Sequence, residues 1–136
     1  MSRYVIDTHA LLWYITTDSR IGSRAKGIIE QCENGTADAV IPSIVLIEAI
    51  RVLINPRKGI NYNPADLLDW LDAHAQFSVY PLDINVVRAF NSSTTSLASL
   101  HDDHDRIIVV TSVLLGNIPI LTRATDIGSV APTIWS

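Results

Sequence analysis

The chain is poor in the residues that build cross-links, hold soft metals or bind polyanions by bulk charge. Cys32 is its one cysteine, which leaves no partner for an intrachain disulfide and no thiolate metal cluster. A reducing cytoplasm suits such a chain. Lysine occurs only as Lys26 and Lys58, and the formal net charge is −4. This excludes a protein that grips nucleic acid by overall positive charge, but not one that uses local cations. No apolar run approaches the roughly 18–20 residues needed to cross a membrane. Asp7 breaks the only N-terminal apolar stretch, so no signal peptide is expected. Internal repeats, low-complexity tracts and linkers are also missing.

Apolar residues are plentiful, at 48% of 136 residues. One domain spanning residues 1–136 is expected. Such apolar content in a small chain has two explanations: a buried oligomer or partner surface, or a well-filled α/β core.

Short β-rich runs alternate with longer helical patterns. Arg3–Ile6, Ala39–Ile41, Phe77–Tyr80 and Ile118–Leu121 read as strands, and Thr133–Trp135 as a short fifth. Helices are expected over His9–Ile15, over Ser23–Cys32 before Asn34-Gly35, and over IVLIEAIRVLI with Ser43 as its N-cap. Asn63-Pro64 starts another helix and Asp83 caps the next. The run IIVVTSVLLG favours strand locally. Its length and the closing Gly116 favour helix, with Asp102 or Asp103 as N-cap. The order predicts a three-layer α/β/α domain with a mainly parallel, four- to five-stranded sheet. In such sheets sites form beyond the carboxyl ends of the strands, which selects Asp7.

Three acids could converge there. Asp7 follows the first strand, where helix capping is the ordinary explanation. Glu48 sits on a helix where Arg51 is the only other charge between Pro42 and Asn55. Such a charge is either paired with Arg51 on a solvent face or buried for a reason. Asp105 belongs to HDDHDR, residues 101–106, where one or two acids would satisfy the helix dipole and three repel one another. Without a second His/Cys cluster a zinc site is poorly supported, whereas carboxylate oxygens suit Mg²⁺ or Mn²⁺. Two such ions about 3.5–4 Å apart would support phosphodiester hydrolysis.

YVIDTHALLWYI, SIVLIEAI, HDDHDRIIVV and ILTRATDIGSVAPTIW resemble, in order, the four motif blocks of the PIN-domain family, and most closely its VapC-type toxins. The resemblance implies a Mg²⁺- or Mn²⁺-dependent endoribonuclease, a homodimer, and inhibition by a cognate antitoxin. Carried over by position, Asp7, Glu48 and Asp105 match the first three metal acids. Asp102 matches a preceding aspartate with a capping or supporting role. Related third blocks often read Asp-Pro-Phe-Asp-Arg; here Asp103-His104 replaces Pro-Phe, with no role assigned. The fourth acid is expected two residues after Thr122, where this chain has Ala124. Asp126, two residues further on, is the candidate replacement. If it does not serve, a catalytically weak or inactive PIN-like domain that binds RNA or a partner is the alternative.

Thr8 is expected to support a carboxylate or cap its helix, and His9 to be structural. Arg57, Lys58, Arg106 and Arg123 are the candidate RNA contacts. The apolar helix Ala10–Ile15 belongs either to the core or to a dimer or antitoxin surface. Two other acid-bearing α/β folds fit poorly. A receiver domain needs a lysine near the last strand, and a haloacid-dehalogenase-like phosphatase needs Asp-x-Asp where Asp7-Thr8-His9 stands.

Overall fold

The computed structural model describes residues 1–136. Five strands form one all-parallel sheet in the order β3-β2-β1-β4-β5: β1 Arg3–Ile6, β2 Asp38–Pro42, β3 Phe77–Tyr80, β4 Ile120–Leu121 and β5 Thr133–Ile134. Seven helices complete a three-layer α/β/α architecture. They are α1 Thr8–Ile15, α2 Ser23–Glu33, α3 Ser43–Leu53, α4 Pro64–Asp72, α5 Ile84–Ser92, α6 Asp103–Leu114 and α7 Thr125–Gly128. None is long and apolar enough to cross a membrane.

The central strands are apolar without alternation because both faces are covered. Val5 and Ile6 of β1 and Ile41 of β2 are fully buried. Edge strand β3 instead exposes Ser78 and Val79. Helix α1 is apolar nearly all round and inserts Ala10, Leu11, Leu12 and Trp13 into the core. Helix α3 buries Val45, Ala49 and Leu53, one stripe at helical spacing, and packs on α1 and α6. Helix α6 resolves the conflict within IIVVTSVLLG. Residues Ile108–Ser112 are all buried, so tertiary packing overrides the strand propensity of β-branched residues. Asp102 caps its start by accepting from the His104 N–H at 2.7 Å, and Gly116 turns the chain away at φ 93°.

Chain order explains where a site can form. The path runs outward from β1 through β2 to β3, then returns to lay β4 on the other side of β1. The carboxyl ends of β1 and β4 therefore flank the point where strand order reverses, the usual ligand crevice of an open parallel sheet. Gly22 helps to close the last segment over this end. A Cβ there would lie 2.2 Å from the Trp135 carbonyl oxygen, which accepts from the Ala25 N–H at 3.0 Å.

Several local expectations need correction. Ser43 does not cap α3: Pro42 occupies the cap position, and the Ser43 hydroxyl accepts from the Leu82 N–H at 3.1 Å. Strand β4 pairs only over Ile120–Leu121, shorter than expected. The 3-10 turn Pro56–Lys58 and helix α7 were not foreseen, because each is too short to carry a periodic pattern. Asn63 and Asp83 cap their helices as expected, accepting from Ala65 and from Asn85 and Val86.

Candidate metal centre

Asp7 is the first residue after β1 and the N-cap of α1. Both of its oxygens are engaged. Oδ1 accepts from the Thr8 N–H and Oδ2 from the Thr122 hydroxyl, each at 2.6 Å. Thr122 directly follows β4, so the β1–β4 pairing brings it to Asp7. Burial pushes the Asp7 carboxyl above its ordinary value, against the lowering effect of the Thr122 and Thr8 hydrogen bonds.

Glu48 reaches the same cavity from the middle of α3. Its Oε1 accepts from the Thr8 hydroxyl at 3.2 Å, and its Oε2 lies 2.9 Å from His104 Nδ1. Glu48 is half-buried while Arg51 is exposed, and the two form no salt bridge. The solvent-face pairing considered for Glu48 is therefore not what the fold adopts. Asp105 arrives from the first turn of α6. Its carboxyl is raised to about 6, first by burial and then by the negative charges of Asp7, Asp102, Glu48 and Asp126.

These acids line a cavity of about 450 Å³, together with Thr8, His9, Thr122, Arg123, Ala124 and Trp135. Asp102 both caps α6 and faces this space. Asp126 faces it from α7, exposed, while Ala124 contributes only a methyl group. Asp103 is exposed and outside the lining. His9, expected to be structural, sets its ring 5.2 Å from Trp13 and also borders the cavity.

The candidate RNA contacts divide. Arg123 borders the cavity, with its guanidinium 4.4 Å from the Trp13 ring centre. Arg106 is turned inward. Its Nε donates to the Leu100 carbonyl at 2.5 Å, and its guanidinium lies 6.0 Å from the Phe90 ring centre. Arg57 and Lys58 sit exposed on the 3-10 turn; Lys58 borders a separate polar hollow with Arg20 and Tyr62.

The donor chemistry suits a hard cation. Five carboxylates, from Asp7, Glu48, Asp102, Asp105 and Asp126, face one space beside the single guanidinium of Arg123. Burial and then the neighbouring negative charges raise the Asp105 carboxyl, and a divalent cation would offset that repulsion. As the side chains stand, no three of the potential ligands close on one point. Two contributors escaped sequence reasoning. Thr122 served only to mark the end of a strand, and its signal was adjacency of β4 to β1. His104 carried a signal in being polar where the resembling pattern has Phe.

The whole fold has close counterparts. VapBC2 from Rickettsia felis, in a structure bound to a DNA fragment from the promoter, aligns with a TM-score of 0.72 at 15% identity, covering 98% of this chain and 99% of that one. A toxin–antitoxin complex from Klebsiella pneumoniae aligns with a TM-score of 0.64 at 16% identity, covering 96% and 95%. FitAcB from Neisseria gonorrhoeae gives 0.64 at 15% identity, covering 96% of each chain. Curated proteins give no match by sequence. The family model for the PIN domain matches residues 4–131, from the second residue of β1 to the segment before β5, and the chain belongs to that family.

Proposed function

We propose that this protein is a Mg²⁺- or Mn²⁺-dependent endoribonuclease and the toxin component of a type II toxin–antitoxin pair. One observation carries the reading: carboxylates from the end of β1, from α3, from α6 and from α7 face one cavity at the strand-order reversal. PIN domains are generally nucleases. One structural neighbour is a toxin–antitoxin complex, which favours a cognate antitoxin as partner. A homodimer working in the cytoplasm completes the proposal.

Asp7, Glu48 and Asp105 would hold the metal, with Asp126 as a peripheral ligand. When bound, the ion supplies Lewis-acid charge that activates water and offsets charge on the phosphate. The chain's own groups do the rest. Thr122 and Thr8 fix the Asp7 carboxylate, so its orientation is set before any substrate arrives. Thr8 also reaches Glu48, tying the β1 and α3 acids together. Arg123, its guanidinium steadied over the Trp13 ring, would meet an RNA phosphate at the rim.

Ala124 and the exposure of Asp126 favour one second reading, a PIN-like domain that binds RNA or a partner without cutting it. Cleavage of RNA by purified protein, with and without Mg²⁺ or Mn²⁺, separates the two. The nuclease reading expects metal-dependent cleavage that Asp7→Asn and Glu48→Gln abolish. Equal inertness of wild type and both variants in either metal would leave the binding-domain reading.

A further inference from the structure

His104 stands where the resembling pattern carries phenylalanine, a residue with no polar atom to offer. Here the imidazole is half-buried and its Nδ1 lies 2.9 Å from Glu48 Oε2. The opposite oxygen, Oε1, accepts from the Thr8 hydroxyl at the longer distance of 3.2 Å. Glu48 has the longest side chain among the cavity's acids, and an unsupported glutamate amid like charges would swing toward solvent. His104 also directly precedes Asp105 on the first turn of α6. The same turn that delivers one acid therefore grips another, which sets the spacing between the α3 and α6 carboxylates.

We infer that His104 is a positioning residue that holds the Glu48 carboxylate for divalent-cation binding. This inference rests on the metal-site reading given above. An Nδ1 contact made by His104 leaves the Glu48 carboxylate free to use its remaining lone pairs on an ion, as outer partners of metal ligands do.

Mn²⁺ binding to the full chain, followed by calorimetry, tests it without relying on cleavage. His104→Phe and His104→Ala should each weaken Mn²⁺ binding by about tenfold, the lower end of the range for lost outer partners. His104→Asn, whose amide nitrogen can occupy the place of Nδ1, should keep most of the affinity. Thermal unfolding in EDTA should be alike for wild type and His104→Asn, and His104→Ala serves if the Phe variant does not fold. Wild-type affinity in both His104→Phe and His104→Ala would overturn the inference while leaving the metal reading intact. Equal weakening in the Asn and Ala variants would assign the effect to imidazole shape and overturn it too. A wild type that binds no Mn²⁺ would remove the metal reading and this inference together.

Discussion

Two walls of the acidic cavity are built differently. On the wall formed by Asp7 and Glu48, every carboxylate oxygen has a polar neighbour: Thr8 N and Thr122 Oγ1 for Asp7, Thr8 Oγ1 and His104 Nδ1 for Glu48. On the helix-terminus side, Asp105 and Asp126 face the same space from the starts of α6 and α7. There burial, and after it the negative charges of Asp7, Asp102, Glu48 and Asp126, raises the Asp105 carboxyl to about 6. The first wall is preorganised and the second is electrostatically strained. A cation would draw orientation from one and relief of repulsion from the other.

The largest break should come from removing a carboxylate on the preorganised wall. Asp7→Asn or Glu48→Gln should lower RNA cleavage in Mg²⁺ by more than roughly 100-fold, the upper end of the loss expected for an outer partner. Single-turnover rates would measure it. Removing the support instead of the acid should cost less. Thr122→Val leaves Asp7 in place without its Oδ2 donor, and should reduce Mn²⁺ affinity by about 10-fold or more, as read by calorimetry.

The strained wall should respond with the opposite sign when metal is absent. A folded-state carboxyl titrating near 6, against an ordinary 3.8, holds an extra proton between those values. The folded state therefore gains stability as pH falls through about 6, and above that it carries the cost of a half-buried carboxylate among like charges. In EDTA, Asp105→Asn should raise the melting temperature at pH 7.5 by a few degrees, on the order of 1 kcal/mol after allowance for solvent screening. That gain should vanish by pH 4. A variant less stable than wild type at pH 7.5 would show that Asp105 is not strained. Asp126→Asn should have the smallest effect on cleavage, because its carboxylate is exposed at the rim. At that rim, Arg123→Ala should lower the slope of RNA affinity against salt by about 0.7 per lost phosphate contact. An unchanged slope would remove Arg123 from the RNA path.

Much of the preorganised wall was legible in sequence because its signals are local. Asp7 closes a short β-rich run, and Glu48 interrupts an otherwise apolar helix in which Arg51 is the only other charge. Caps at Asn63 and Asp83, and one at Asp102 or Asp103 that proves to be Asp102, were readable for the same reason: a side chain bonding two or three residues ahead needs no tertiary partner. The bonds between the walls were not readable. Thr122 meets Asp7 across 115 positions only because the returning chain lays β4 beside β1. The His104–Glu48 contact depends on how α6 packs against α3. Arg106 illustrates the converse. Its charge suggested an RNA contact, yet the Leu100 carbonyl lies within its reach and draws it inward. Helix α7, which carries Asp126, spans only Thr125–Gly128 and has no period to detect.

Anomalous diffraction from crystals soaked in Mn²⁺ tests the central claim most directly, because it locates the ion without depending on activity. The account predicts an anomalous peak within coordination distance of the Asp7, Glu48 and Asp105 carboxylates, about 2–2.5 Å for oxygen ligands of hard cations. A saturating soak with no peak between those three acids, or a peak only at some other site on the surface, would contradict it.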